Sequence, residues 1–72
     1  MSGQETLLEK ARRHVREGAK RVARQEELVA LLDQDGNYTS QTALAREVLV
    51  TLLTSLDLMR DHLRRIEGQS ES

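Results

Sequence analysis

Two histidines are the side chains in this sequence whose type and placement could bind a metal ion. If the chain folds back on itself, His14 and His62 fall at nearly the same level, with Asp61 next to the second of them. Two imidazoles and a carboxylate are a possible ligand set for a transition metal. Bundles that bind paired metals carry Glu three residues before each His, whereas Ala11 and Met59 stand there in this chain. We therefore predict no metal and no cofactor, and keep a two-histidine site as the least favoured alternative.

A run of basic residues is the second feature that could carry chemistry. Between Lys10 and Arg24 there are seven Lys or Arg residues and a single acid, Glu17. Four of them recur at every fourth position and form what we call the basic stripe: Arg12, Arg16, Lys20 and Arg24. A helix with such a stripe could follow nucleic-acid phosphates, with affinity that falls steeply with salt. The run contains no aromatic side chain to stack on bases and no groove-reading motif, so nucleic-acid binding is an alternative and not the first prediction.

Nearby acids favour a solvated charged face for this run. Glu9 precedes Arg13 by four residues and Glu17 precedes Arg21 by four, which is the stabilising order on a helix. A fold-back also brings two acids from the second half of the chain to the level of the run: Asp57 and Asp61. We interpret the basic residues as partly compensated surface charge, with an acidic protein partner as a further possibility.

The elements that must position these residues are two long helices separated by one turn. The only strong cluster of helix-breaking residues is 33–40, where Gly36 suits the left-handed residue after a helix and Thr39 or Ser40 can cap the next one. The predicted segments are a flexible N-terminus at 1–4, a helix at about 5–35, a turn at 36–39, a helix at about 40–67 and a flexible tail at 68–72. Residues 5–67 form one domain.

Both helices carry a heptad-like seam in which seam positions are three and four residues apart. The first seam is Leu8, Ala11, Val15, Gly18, Val22, Gln25, Val29 and Leu32. The second is Ala45, Val48, Leu52, Ser55, Met59, His62 and Ile66. Folding at the turn pairs small with large, as in Gly18 opposite Met59, which fills a seam without voids. We interpret Gln25 as a polar residue that fixes register or partner, as buried amides can. The fold class predicted is all-α, an antiparallel two-helix hairpin.

The second helix has more apolar residues than one seam can bury. The additional positions form what we call the alanine strip, with alanines on the first helix and leucines on the second: Ala19, Ala23, Ala30, Leu49, Leu53, Leu56 and Leu63. A strip of this size left in water is unusual for a monomer. We predict a homodimer that forms a four-helix bundle through it, while an unidentified protein partner with similar helices would also cover it. A membrane surface is not favoured, since no excess of Lys and Arg borders the strip.

Composition excludes several classes of protein. The chain has 72 residues, no cysteine, no proline, one aromatic residue and a net charge of −1, so it is one small domain without disulfides. No apolar run approaches the ~20 residues that span a bilayer, and the start of the chain does not read as a secretory signal, so we expect a cytoplasmic protein. The sequence has no catalytic triad and no phosphate-binding loop, so we predict neither an enzyme nor a small-molecule substrate.

One pattern in the sequence resembles a known group of proteins. The run H-V-x-E-G-x-x-x-V-A-R-Q-x-x-L-V-x-x-L-x-x-D-G from His14 to Gly36 is followed by Thr39 and by Ala45-x-x-Val48-Leu49. It resembles a group of short uncharacterised bacterial proteins that look like stand-alone helical hairpins, over about residues 12–66. The resemblance implies the hairpin fold and no known activity. The chain departs from the group by being more aliphatic at residues 48–59.

Overall fold

The fold is an all-α hairpin, as the sequence predicts. The computed structural model describes residues 5–34 and 40–70, with the side chain of Ser70 excepted. Helix α1 spans Leu7–Gln34 and helix α2 spans Ser40–Ser70. Helix α2 continues three residues beyond the predicted end at residue 67. The predicted roles of Gly36 and Thr39 lie outside the described residues.

Two ion pairs between the helices establish that α1 and α2 run antiparallel. Near the turn, Arg46 Nη2 lies 2.7 Å from Asp33 Oδ2. At the far end, Arg12 Nη2 lies 3.6 Å from Glu67 Oε2. The first pair joins the end of α1 to the start of α2, and the second joins the start of α1 to the end of α2. Both helices are built largely from Leu, Ala, Arg, Glu and Gln, which favour helices, and the chain has no proline to interrupt them.

Helix α1 begins with a reciprocal cap that the sequence analysis did not identify. The backbone N–H of Glu9 donates to Thr6 Oγ1 at 3.0 Å, and the backbone N–H of Thr6 donates to Glu9 Oε1 at 3.2 Å. The first helical bond follows at once, from Lys10 N–H to the Thr6 carbonyl at 2.9 Å. Thr-x-x-Glu before an apolar run is the sequence signature of this cap, so the signal was present in residues 6–9.

The predicted seam of α1 is confirmed. All eight of its residues are buried or half-buried, and Ala11, Gly18 and Val22 are the most enclosed. The predicted Gly18–Met59 pairing is also confirmed, because the Met59 side chain occupies the space beside the Gly18 backbone. Leu56 reaches the same place from one turn earlier on α2. The missing side chain of Gly18 therefore lets the two helices approach closely.

The predicted seam of α2 is only half right. Ala45, Leu52, Met59 and Ile66 face α1, but Val48, Ser55 and His62 are exposed. The other half of the observed seam, three or four residues from each of the first four, is buried or half-buried: Thr42, Leu49, Leu56 and Leu63. Burying a leucine stabilises far more than burying a serine or a histidine, so α2 is rotated to turn its leucines inward.

Candidate functional site

The rotation of α2 leaves an open apolar groove at the turn end of the hairpin. We call it the leucine groove. It has a volume of about 390 Å³ and is lined by Gln25, Leu28, Leu32, Gln41, Leu44, Ala45 and Val48. Its lining contains no charged residue, and Leu28, Leu44 and Val48 keep large exposed fractions. None of these three was predicted to lie on an interaction surface.

Gln25 lines the leucine groove and forms a hydrogen bond between the two helices there. Its side-chain Nε2 donates to the backbone carbonyl of Ala45 at 2.8 Å, and the bond is partly shielded from water. This contact ties the middle of α1 to the start of α2. Gln25 was predicted to fix register or partner, and a hydrogen bond between the helices is consistent with a role in register. It also satisfies the amide that would otherwise lie unpaired beside leucines.

A second, smaller cavity brings the two histidines together. This histidine cavity has a volume of about 190 Å³ and is lined by Ala11, His14, Leu58, Met59 and His62. The predicted common level of His14 and His62 is therefore observed. A group of three or more metal-binding side chains is absent from the part of the chain that the structure describes. Two imidazoles alone supply half of a tetrahedral zinc site.

The alanine strip is smaller than the sequence predicts. Leu56 is only 3% exposed because it packs between the two helices of one chain. The prediction that it belongs to an exposed strip is therefore wrong. Ala19, Leu49 and Leu63 are half-buried. The remaining members of the strip, Ala23, Ala30 and Leu53, are exposed, and whether they take part in self-association stays a prediction.

The basic stripe lies on the surface of α1, as its spacing implies. All four of its residues are exposed. Arg12 pairs with Glu67 across the hairpin. Arg16, Lys20 and Arg24 form no ion pair with any residue within 5–34 or 40–70. Within the described residues, three successive positive charges of the basic stripe therefore have no carboxylate partner.

The ion pairs around the basic run differ from the predicted ones. Glu9 caps the helix instead of pairing with Arg13, and Arg13 binds Glu5 through two contacts of 2.9 Å. Glu17 pairs with Arg13 at 3.4 Å and not with Arg21. The hydrogen bonds and charge of Glu5, with a smaller effect of Glu17, raise the pKa of Arg13. These carboxylates therefore compensate the start of the run and leave its middle uncompensated.

The aspartates of α2 also differ from the prediction in their ion-pair partners. Asp61 was expected to face the basic run, but it pairs with Arg65 at 2.9 Å and with Arg64 at 4.0 Å on its own helix. These pairs are short-range contacts of the kind that helix spacing favours. Asp57 is exposed and forms no ion pair with another described residue. The predicted compensation by Asp57 and Asp61 is therefore not observed, and among the described residues the ion pair that joins the basic run to α2 is Arg12–Glu67.

Helical spacing could have identified the leucine groove. Leu28 and Leu32 are one turn apart near the end of α1, and Leu44 and Val48 are one turn apart near the start of α2. Four aliphatic residues on either side of the predicted turn are expected to lie close together. The seam pattern hides this signal, because Val48 also fits the seam spacing, and a buried Val48 would place the exposed apolar surface on the other side of α2.

Comparisons with known proteins add no relatives. No family model, curated protein or solved structure matches this chain. Neither of the two described helices combines the length and apolar character needed to cross a membrane.

Proposed function

We propose that this chain is a small helix–helix interaction module that pairs with a second copy to form a four-helix bundle. The observation that carries the proposal is the apolar surface that one hairpin leaves exposed, since more large aliphatic side chains are exposed than buried among the described residues. Monomeric soluble proteins rarely expose contiguous apolar patches of more than a few hundred Å², and larger patches mark interaction sites.

The thin core supports the same proposal. The buried apolar residues in the described part of the chain are Ala11, Val22, Ala45, Leu56 and Ile66, and two of these five are alanines. A larger group of aliphatic side chains stays exposed: Leu7, Leu28, Leu31, Leu44, Val48, Val50, Leu53 and Leu58. Apolar burial drives both folding and association. A second hairpin would supply the burial that one hairpin lacks.

Analytical ultracentrifugation tests this proposal directly. We expect a species of twice 8.2 kDa at micromolar concentrations, with unfolding that shifts to higher temperature as protein concentration rises. A monomer at several hundred micromolar would rule out self-association. We propose further that the module acts in the cytoplasm and catalyses no reaction. We also propose that it is similar to the short bacterial hairpin proteins that its sequence resembles.

Nucleic-acid binding is the second candidate function, because Arg16, Lys20 and Arg24 lack ion-pair partners among the described residues. Each neutralised phosphate of duplex DNA contributes about −0.9 to the slope of log affinity against log salt. Three contacts predict a slope near −2.7 from the same relation. Fluorescence anisotropy with duplex and single-stranded probes at low ionic strength is the test. Binding that Lys20→Glu does not weaken would exclude the basic stripe as its source.

A further inference from the structure

We infer that the second copy docks on the leucine groove and the side of the hairpin that carries it, and not on the alanine strip. This inference rests on the proposed function, because it names the surface through which the self-association occurs. The groove is the described cavity lined by leucines from both helices. Leu44 lines the groove and is 60% exposed, whereas the adjacent Ala45 is buried.

On α2, the side that carries the leucine groove continues to the histidine cavity. Leu44 and His62 are 18 residues apart, which is five full helical turns, so they project to the same side. His62 lines the histidine cavity together with Leu58, which is 67% exposed. The groove and the histidine cavity therefore lie on one side of the hairpin, at its two ends. A partner along this side would cover both.

The opposite side carries an ion pair beside the groove end of the hairpin. Arg46 lies two residues from Val48, which is about 200° around the helix, so its ion pair with Asp33 lies away from the groove. Leu53 is two turns beyond Arg46 and projects to the same charged side. Exposed Val50 lies there as well, in a shallow depression with Arg46 and Glu47. Covering that side would remove charged groups from water, which opposes association.

The groove side is large enough to hold an interface of standard size. The hairpin measures 52 by 28 by 14 Å, so one broad side presents at most roughly 1,500 Å², about twice the ~800 Å² per partner of a standard interface. The uncharged lining of the groove requires an uncharged, apolar occupant. The leucine groove of a second copy has this character, and a two-fold axis would let each copy cover the other.

A matched pair of substitutions on α2 tests the assignment. Val48 and Leu53 are each 41% exposed, but they lie on opposite sides of the helix. We expect Val48→Glu to raise the dimer dissociation constant at least tenfold in sedimentation equilibrium, and Leu53→Glu to change it less than threefold. A wild-type chain that is monomeric overturns the proposed function itself. A wild-type dimer that Leu53→Glu weakens as much as, or more than, Val48→Glu overturns only the choice of surface.

A measurement on the unaltered chain covers the case in which Val48→Glu fails to fold. A mixture of isotope-labelled and unlabelled wild-type chains reports which methyl groups contact the other copy. We expect intermolecular contacts from the methyl groups of Leu28, Leu44 and Val48. Intermolecular contacts confined to Ala23, Ala30 and Leu53 would overturn the assignment while leaving the dimer intact. Circular dichroism of both Glu variants verifies that the hairpin remains helical.

Discussion

The terminal methyl group of Met59 lies where a side chain on residue 18 would begin. A Cβ atom added to Gly18 would be 2.8 Å from Met59 Cε and 3.2 Å from Leu56 Cδ1. An interior glycine costs a helix about 1 kcal/mol relative to alanine. At Gly18 the close approach of α2 offsets that cost, because Met59 and Leu56 fill the space.

This relationship predicts that Gly18→Leu overpacks the seam. We expect the free energy of unfolding to fall by about 1–3 kcal/mol, measured by urea denaturation at a fixed protein concentration. The penalty should shrink in a Met59→Ala background, since the obstructing side chain is gone. Gly68→Leu is the control, because nothing lies within 4 Å of a Cβ at that position. A neutral Gly18→Leu, or equal effects at the two glycines, would contradict the close packing.

The hydrogen bond from Gln25 to the Ala45 carbonyl predicts a measurable loss on truncation. Gln25→Ala should lower the free energy of unfolding by about 1 kcal/mol, the typical net value of a partly shielded hydrogen bond. Gln34→Ala, at an exposed position of the same helix, should change it by less than about 0.5 kcal/mol. Equal effects of the two substitutions would show that the bond does not stabilise the hairpin.

The cap at the start of α1 predicts a pH dependence. The backbone and side-chain hydrogen bonds from Thr6 lower the pKa of Glu9, with a smaller contribution from the charge of Arg12. The ionised Glu9 therefore stabilises the folded chain above the pKa of the unfolded state, and this stabilisation is lost as pH falls through the lower, folded pKa. We expect α1 to fray from its N-terminus under acidic conditions.

Carbon NMR of the Glu9 carboxyl group measures this effect. Thr6→Ala removes the hydroxyl group and with it the reciprocal contact that holds the residue 6 backbone N–H against the Glu9 carboxylate. The substitution should therefore move the pKa of Glu9 upward toward its ordinary value. Thr54→Ala is a matched control, since the Thr54 hydroxyl donates to the Val50 carbonyl of α2, at 3.0 Å, and is remote from the cap. An unchanged Glu9 pKa in Thr6→Ala would mean that the cap does not set it.

The histidine cavity predicts weak metal binding at most. His14 and His62 share a cavity, but the described residues add no third metal-binding side chain there. Equimolar zinc should therefore leave the imidazole NMR signals and the unfolding temperature unchanged. A zinc-dependent rise in unfolding temperature that disappears in His14→Ala would establish the alternative that the sequence analysis kept open.

Local rules determined most of the hairpin from sequence alone. The breaker cluster at 33–40 separates two long runs of helix formers, and the seam of α1 was identified at every position. The Gly18–Met59 pair followed from the antiparallel register. These features depend on residue type and spacing within one element or on the position of one turn, so no knowledge of the packed structure was needed.

The rotation of α2 was decided by packing. Two seams share Ala45, Leu52, Met59 and Ile66, and helical spacing fits both of them equally well. The choice depends on which side chains gain most from burial against α1, and the leucines at 49, 56 and 63 outweigh Val48, Ser55 and His62. That rotation buries Leu56 and exposes Leu44, Val48 and Leu58. The sequence therefore determined the hairpin, and tertiary packing determined which apolar side chains remain for a partner.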